Sequence, residues 1–110
     1  MHDAASSWHA LTALLRARTP QALGADIILP LDELPPYHIS ADTLAASTAR
    51  SHRWMARSLR AHLDAPSAQA MYGIIHGGTD AELRAGSAEY LCALPFGAPA
   101  SGRGTFAEAA

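Results

Sequence analysis

The stretch that decides the fold is LGADIILPLDELPPYH, Leu23 to His38, in which a short apolar run ends in two carboxylates and then a pair of prolines. Asp26 to Leu31 is nearly continuous in its apolarity, which predicts a strand buried on both faces, as parallel strands are. Pro35 and Pro36 close it, because neither has an N–H to give to a ladder. Asp32 and Glu33 then stand at the strand's C-terminal end, where α/β sheets and barrels place their ligands. As sequence neighbours on an extended chain they point to opposite faces, so they are not a paired acid and base.

Downstream, Ser40 is a good N-cap, and Ala41 to Leu63 carries Leu44, Thr48, Ser51, Met55, Leu59 and His62 or Leu63 at spacings of three and four. That spacing predicts a long amphipathic helix. Its other face carries Arg50, Arg53, Arg57 and Arg60, which fits either a solvated face with nearby acids or a phosphate-contacting surface. Ala65-Pro66-Ser67 breaks the helix, and Ala70 to Ile75 reads as a second buried strand ending in His76-Gly77-Gly78. Thr79 and Glu82 have the spacing of a capping box, and Ala81 to Leu94 continues as a helix. Two strands joined by a helix of this length make a parallel βαβ unit, so the expected order is strand, helix, strand, helix.

Upstream, Met1 to Thr19 has Trp8, Leu11, Leu14 and Leu15 at helical spacing, and Pro20 ends it. Its Ser and Arg content also suits an organelle transit peptide, against which Asp3 counts. Beyond Pro95 the sequence GAPASGRGTFAEAA has no periodicity and reads as a disordered tail. The expected organisation is a variable or helical segment over 1–22, an α/β segment over 23–96 and a tail over 97–110.

The chain of 110 residues is long enough for a small core but short of the roughly 250 that a complete (β/α)8 barrel needs. No apolar run approaches the ~18 residues of a membrane span. A net charge of -2 gives no global basic field, although every one of the eight basic side chains is Arg. The single cysteine, Cys92, excludes an internal disulfide and fits a reducing, cytoplasmic setting. Its place in a helical pattern reads as a small buried apolar residue. The six histidines form no HExxH and pair with no CxxC, so no zinc site is visible.

Because parallel strands point the same way, Asp32 and His76 emerge on one edge. An ionised carboxylate accepts two parallel N–H bonds, such as those of the N1 and 2-amino edge of guanine or of an arginine fork. Asp32 therefore has the chemistry for purine recognition, and equally that for capping a loop or pairing with an Arg. His76 could donate to a carbonyl oxygen, exchange a proton near neutral pH or satisfy its own loop. Gly77 and Gly78 let a ligand approach the backbone, and the following helix points its positive dipole end toward the same edge.

Three segments, LGADIILPLDELPPY, ARSHRWMARS and MYGIIHGGTDAELR, resemble in order and spacing the tRNA-guanine transglycosylase family. That family carries a D-[IV]-x-x-x-x-D-[ED] strand, an R-S-x-R-W-x-x-R-S helix and a G-I-I-Q-G-G strand end. The resemblance covers about Leu23 to Phe96. It implies a TIM barrel with a zinc-bearing insertion that exchanges an anticodon guanine of tRNA for queuine or a precursor, through a nucleophilic aspartate and a covalent tRNA intermediate. By resemblance, Asp32 reads the N1 and 2-amino edge of the base, and His76 stands where the family has a glutamine on the same base. Gly77 and Gly78 line the pocket floor, and Glu33 matches a second acidic residue with a structural job. The nucleophile and the three-cysteine, one-histidine zinc site have no counterpart in these residues. The expectation is thus an incomplete βαβα barrel segment that holds part of a base pocket. Its implied partners are tRNA, a guanine-like base and a second transglycosylase subunit, and no membrane. A non-catalytic module binding such a subunit or tRNA, and a small purine-binding α/β domain, are the alternatives. A two-strand segment is also expected to leave strand edges unpaired and apolar surface bare.

Overall fold

The computed structural model describes residues 22–97. They form an α/β unit in the order β1 (Ile27–Ile28), α1 (Ala41–Asp64), β2 (Ala70–Met71) and α2 (Ala81–Cys92). The expected readings of Met1 to Thr19 and of the tail beyond Gly97 lie outside the described residues. The two strands pair in parallel, Ile27 opposite Ala70 and Ile28 opposite Met71, as the βαβ reading requires.

Both strands are shorter than the expected Asp26–Leu31 and Ala70–Ile75, and the cause lies in where the backbone N–H groups go. Pro30 has none to give. The Leu31 N–H donates to Ser58 Oγ at 3.3 Å, and the Glu33 N–H donates to Ser51 Oγ at 2.9 Å. The helix therefore takes donors that a neighbouring strand would otherwise use. Beyond the second strand the His76 N–H goes to Ser87 Oγ of α2 at 2.9 Å.

The sheet is also not buried on both faces. Ile28 is 3% and Met71 0% exposed on the side facing the helices, whereas Ile27 is 54%, Leu29 48% and Tyr72 48% exposed on the other. The alternation follows the period of two along a strand.

Helix α1 begins as the sequence predicts. Ser40 is extended, with φ -66° and ψ 155°, and its Oγ accepts from the Thr43 N–H. The helix stops at Ala65, the residue before Pro66, where a proline disfavours helical geometry. Its buried face carries Thr48, Ser51, Met55, Leu59 and His62 as expected, together with Ser47 and Ser58. Small polar side chains on that face let the helix lie close to the strand ends they bond. Leu59 joins Ile28, Met71 and Leu94 in the core, with Ala56, Leu63 and Phe96 packed around it. Fully burying an aliphatic side chain of this size contributes about 1.5–3 kcal/mol, so this small cluster holds the helix layer to the sheet.

Helix α2 departs from expectation at both ends. The N-cap is Asp80, not Thr79, and Asp80 Oδ1 accepts from the Leu83 N–H at 2.9 Å. An aspartate one residue later in the chain supplies a charged acceptor at the cap and displaces the threonine box. The helix ends at Cys92 and the chain turns so that Leu94 still reaches the core. Cys92 is exposed and not buried as its pattern suggested, because Leu91 and Leu94 take the inward positions.

Candidate functional site

The C-terminal ends of β1 and β2 bring Asp32 and His76 together. His76 Nε2 lies 3.2 Å from Asp32 Oδ2, with the two side chains 7% and 16% exposed. The contact is close but poorly aligned, and Nε2 has no hydrogen-bond partner among the described residues. A buried imidazole nitrogen facing a carboxylate is thus left with bonding capacity unspent. Burial pushes the His76 imidazole below the ordinary histidine range, the Asp32 carboxylate partly offsets that, and the Arg84 guanidinium adds to it. The ring is neutral near pH 7, so the pair is a carboxylate beside a neutral imidazole and not two opposite charges.

A cleft of about 240 Å³ is lined by Glu33, Leu34, Pro35, His76, Gly77 and Gly78 among others. Asp32, 3.2 Å from His76 Nε2, does not itself line it. Gly77 has φ +123°, and a Cβ there would sit 2.7 Å from the Arg84 backbone nitrogen. Gly78 has φ +55° and approaches the Leu44 side chain. Both glycines are required by conformation, and Gly77 also by the close approach of the loop to α2. Arg84 reaches back across the loop, donating from Nη1 to the Gly78 carbonyl at 3.3 Å. The start of α2 offers less to an anion than the sequence suggested, because the Asp80 carboxylate already occupies the cap.

The remaining sequence candidates divide. The Glu33 carboxylate takes Arg50 Nη1 at 2.9 Å, so it is engaged by an arginine of α1 and not by His76. Arg53, Arg57 and Arg60 instead border a separate shallow groove with Ala56 and Tyr90. Arg50 is therefore not part of one continuous stripe.

Sequence reading missed the residues behind the site. Ser51 and Ser58 bond the backbone on either side of Asp32, at Glu33 and Leu31. Ser87, 1% exposed, accepts from the His76 N–H and lies 2.7 Å from His52 Nε2. The His52 ring stacks on Tyr90, with centroids 4.4 Å apart and planes 13° from parallel. A signal was present, since Ser51 and Ser58 share one helical face seven residues apart, but serine on a helix gives no hint of what it bonds.

Among the described residues no group of three or more His, Cys, Asp or Glu could hold a metal ion, and no helix is long and apolar enough to cross a membrane. Zinc, implied by the resemblance for the full-length family, has no fitting donor set among the described residues.

The geometry can be set beside known proteins. The family model described as Queuine tRNA-ribosyltransferase matches residues 5–108, extending past 23–96 at both ends. A queuine tRNA-ribosyltransferase of Protochlamydia amoebophila is 54% identical over 86 residues, covering 78% of this chain and 22% of that protein. One from Chlamydia trachomatis serovar L2 is 42% identical over 92 residues, covering 84% and 25%. One from Roseiflexus sp. is 41% identical over 100 residues, covering 82% and 25%. The chain spans about a quarter of the length of these curated relatives. With a family model matched over nearly its whole length and with identities of this size, the chain belongs to the queuine tRNA-ribosyltransferase family.

Proposed function

We propose that this chain forms the part of a tRNA-guanine transglycosylase base site that reads one edge of guanine or queuine, with Asp32 and His76 as the reading groups and Gly77 and Gly78 as the floor. The observation that carries the reading is the placement of a carboxylate and a neutral imidazole 3.2 Å apart at one strand edge, with His76 Nε2 unbonded. Along one edge guanine presents two donors, the 2-amino group and N1–H, and then a carbonyl acceptor. A carboxylate has no proton to give, so Asp32 takes the two donors. A neutral imidazole keeps one ring N–H, so His76 donates to the carbonyl. Adenine presents a lone pair where guanine has N1–H, and that lone pair would face the carboxylate.

The reaction served by this pocket is the exchange of an anticodon guanine for queuine or a precursor. Asp32 and His76 orient the departing and arriving base, while the nucleophile and the zinc site belong to other parts of the full-length enzyme. The unit is a βαβα segment of a TIM barrel, a reading supported by the bare apolar sheet face of Ile27, Leu29 and Tyr72. tRNA and a second transglycosylase subunit are the partners.

Titration calorimetry of the chain with guanine tests the assignment. Asp32→Asn replaces one acceptor oxygen by a donor and removes the charge, and it should weaken guanine binding by about thirtyfold with the circular dichroism spectrum unchanged. Affinity unchanged by that substitution, or adenine bound as well as guanine, would remove Asp32 from the site.

A further inference from the structure

His76 is held at both ends of the residue. In front, its ring meets Asp32; behind, its backbone N–H is bonded by a side chain of a different element, Ser87 of α2, at 2.9 Å. A helix serine ordinarily turns its hydroxyl back to the carbonyl four residues earlier. Here the hydroxyl oxygen instead lies 2.7 Å from His52 Nε2, a residue of α1. With one lone pair taken by the His76 N–H, the hydroxyl still has a proton to give and a second lone pair to offer, and either completes the bond to His52. His52 is itself set in place by the Tyr90 ring stacked on it. Ser87 is 1% exposed, so water does not compete for these bonds.

We propose that Ser87, oriented by His52, is a positioning residue for His76, joining the segment that follows β2 to α1 and α2 at one buried hydroxyl so that the imidazole is presented to the ligand edge at a fixed distance from Asp32. The use of that placement for a base rests on the function proposed above; the tether itself does not. Nothing in the resemblance assigns a role to either residue. The tether acts through the peptide and not through the ring, and for that reason it leaves Nε2 unspent.

Two substitutions at His52 separate the bond from the packing. His52→Gln keeps a polar partner for the Ser87 hydroxyl and loses the ring; His52→Phe keeps a ring against Tyr90 and loses the nitrogen. In the full chain, the protection of the His76 amide against hydrogen exchange should fall about tenfold in Ser87→Ala and severalfold in His52→Phe, and stay near wild type in His52→Gln. Guanine affinity should follow the same ranking. A merely structural His52 gives the reverse order, with Phe tolerated and Gln damaging, and that order overturns the proposal, as does unchanged protection in Ser87→Ala. If Ser87→Ala does not fold, the two His52 variants still decide. Failure of the wild-type chain to bind guanine overturns the base site instead, and the exchange rates then still report on the tether.

Discussion

The two strand ends that make the site are tied down by the same chemistry but not to the same degree. At the end of β1, Asp32 sits between two residues whose amides are both bonded to serines of α1, Leu31 to Ser58 and Glu33 to Ser51. At the end of β2, His76 has one such bond, to Ser87, and that serine depends on His52 in turn. Asp32 is therefore clamped on both sides, and His76 hangs from a single relay followed by two left-handed glycines. The difference teaches where a short sheet finds its rigidity. With two paired residues per strand, the ladder cannot hold the site, and helix serines take over the amides that further pairing would have satisfied.

The largest expected effect lies at the weaker end. In Gly77→Ala the new Cβ would meet the Arg84 backbone nitrogen at 2.7 Å, at a φ of +123° that side chains avoid. Backbone strain and overpacking each cost about 1–3 kcal/mol, so a loss of about 3 kcal/mol or more is expected in urea unfolding. A loss below about 1 kcal/mol would show that the loop can lift from α2, and that His76 is less fixed than its contacts indicate.

Next comes Ser51→Ala at the stronger end. It leaves the Glu33 N–H without its acceptor, at a cost of about 1–3 kcal/mol. Because Ser58 still holds Leu31, Asp32 should keep its place, and guanine affinity should fall less than in Ser87→Ala. Equal losses of affinity would erase the contrast between the two ends.

How far this arrangement was legible in the sequence follows from the same bonds. The parallel βαβ order and the meeting of Asp32 with His76 could be read because an apolar run, a long helical pattern and a second apolar run leave few topologies. The strand lengths could not, since they depend on serine side chains taking backbone donors across the fold. Ser87 and His52 were hidden for a related reason. They stand 35 residues apart, and only the packing of α1 on α2 brings them within 2.7 Å. The Asp80 cap was missed because Thr79 also had a partner at capping-box spacing, and the choice rests on which side chain reaches the Leu83 amide. Cys92 was misplaced because the helix stops at that residue, while the inward positions fall on Leu91 and Leu94.

Acid should separate the ends without any substitution. Burial pushes His52 and His76 below the ordinary value of 6.5, and the neighbouring His76 depresses His52 further. The folded chain therefore holds these rings neutral where the unfolded chain would take up protons. Their contribution to stability is complete above about pH 6.5 and is lost as pH falls from there through the folded values. Buried His62 has the same sign. Serine hydroxyls do not titrate, so amide protection at His76 should decline on acidification before that at Glu33. Simultaneous loss at both amides would mean that the ends unfold as one unit.

The smallest effect is expected in the arginine face of α1, which the sequence left open between a solvated face and a phosphate-contacting surface. Arg50 Nη1 lies 2.9 Å from Glu33 Oε2, which would invite the view that this ion pair fixes the β1 end. Its side chains are 42% and 34% exposed, however, and at such exposure an ion pair contributes about 0–1 kcal/mol and weakens as salt is added. The Glu33 amide bonded to Ser51 is a stronger restraint on the same residue, because its loss leaves a backbone donor unsatisfied. Arg50→Ala should accordingly shift the unfolding midpoint less than Ser51→Ala, and the gap should widen in high salt. If Arg50→Ala proved the more damaging of the two, the β1 end would be held by charge, and the likeness between the two strand ends would reduce to a shared position in the fold without a shared cause.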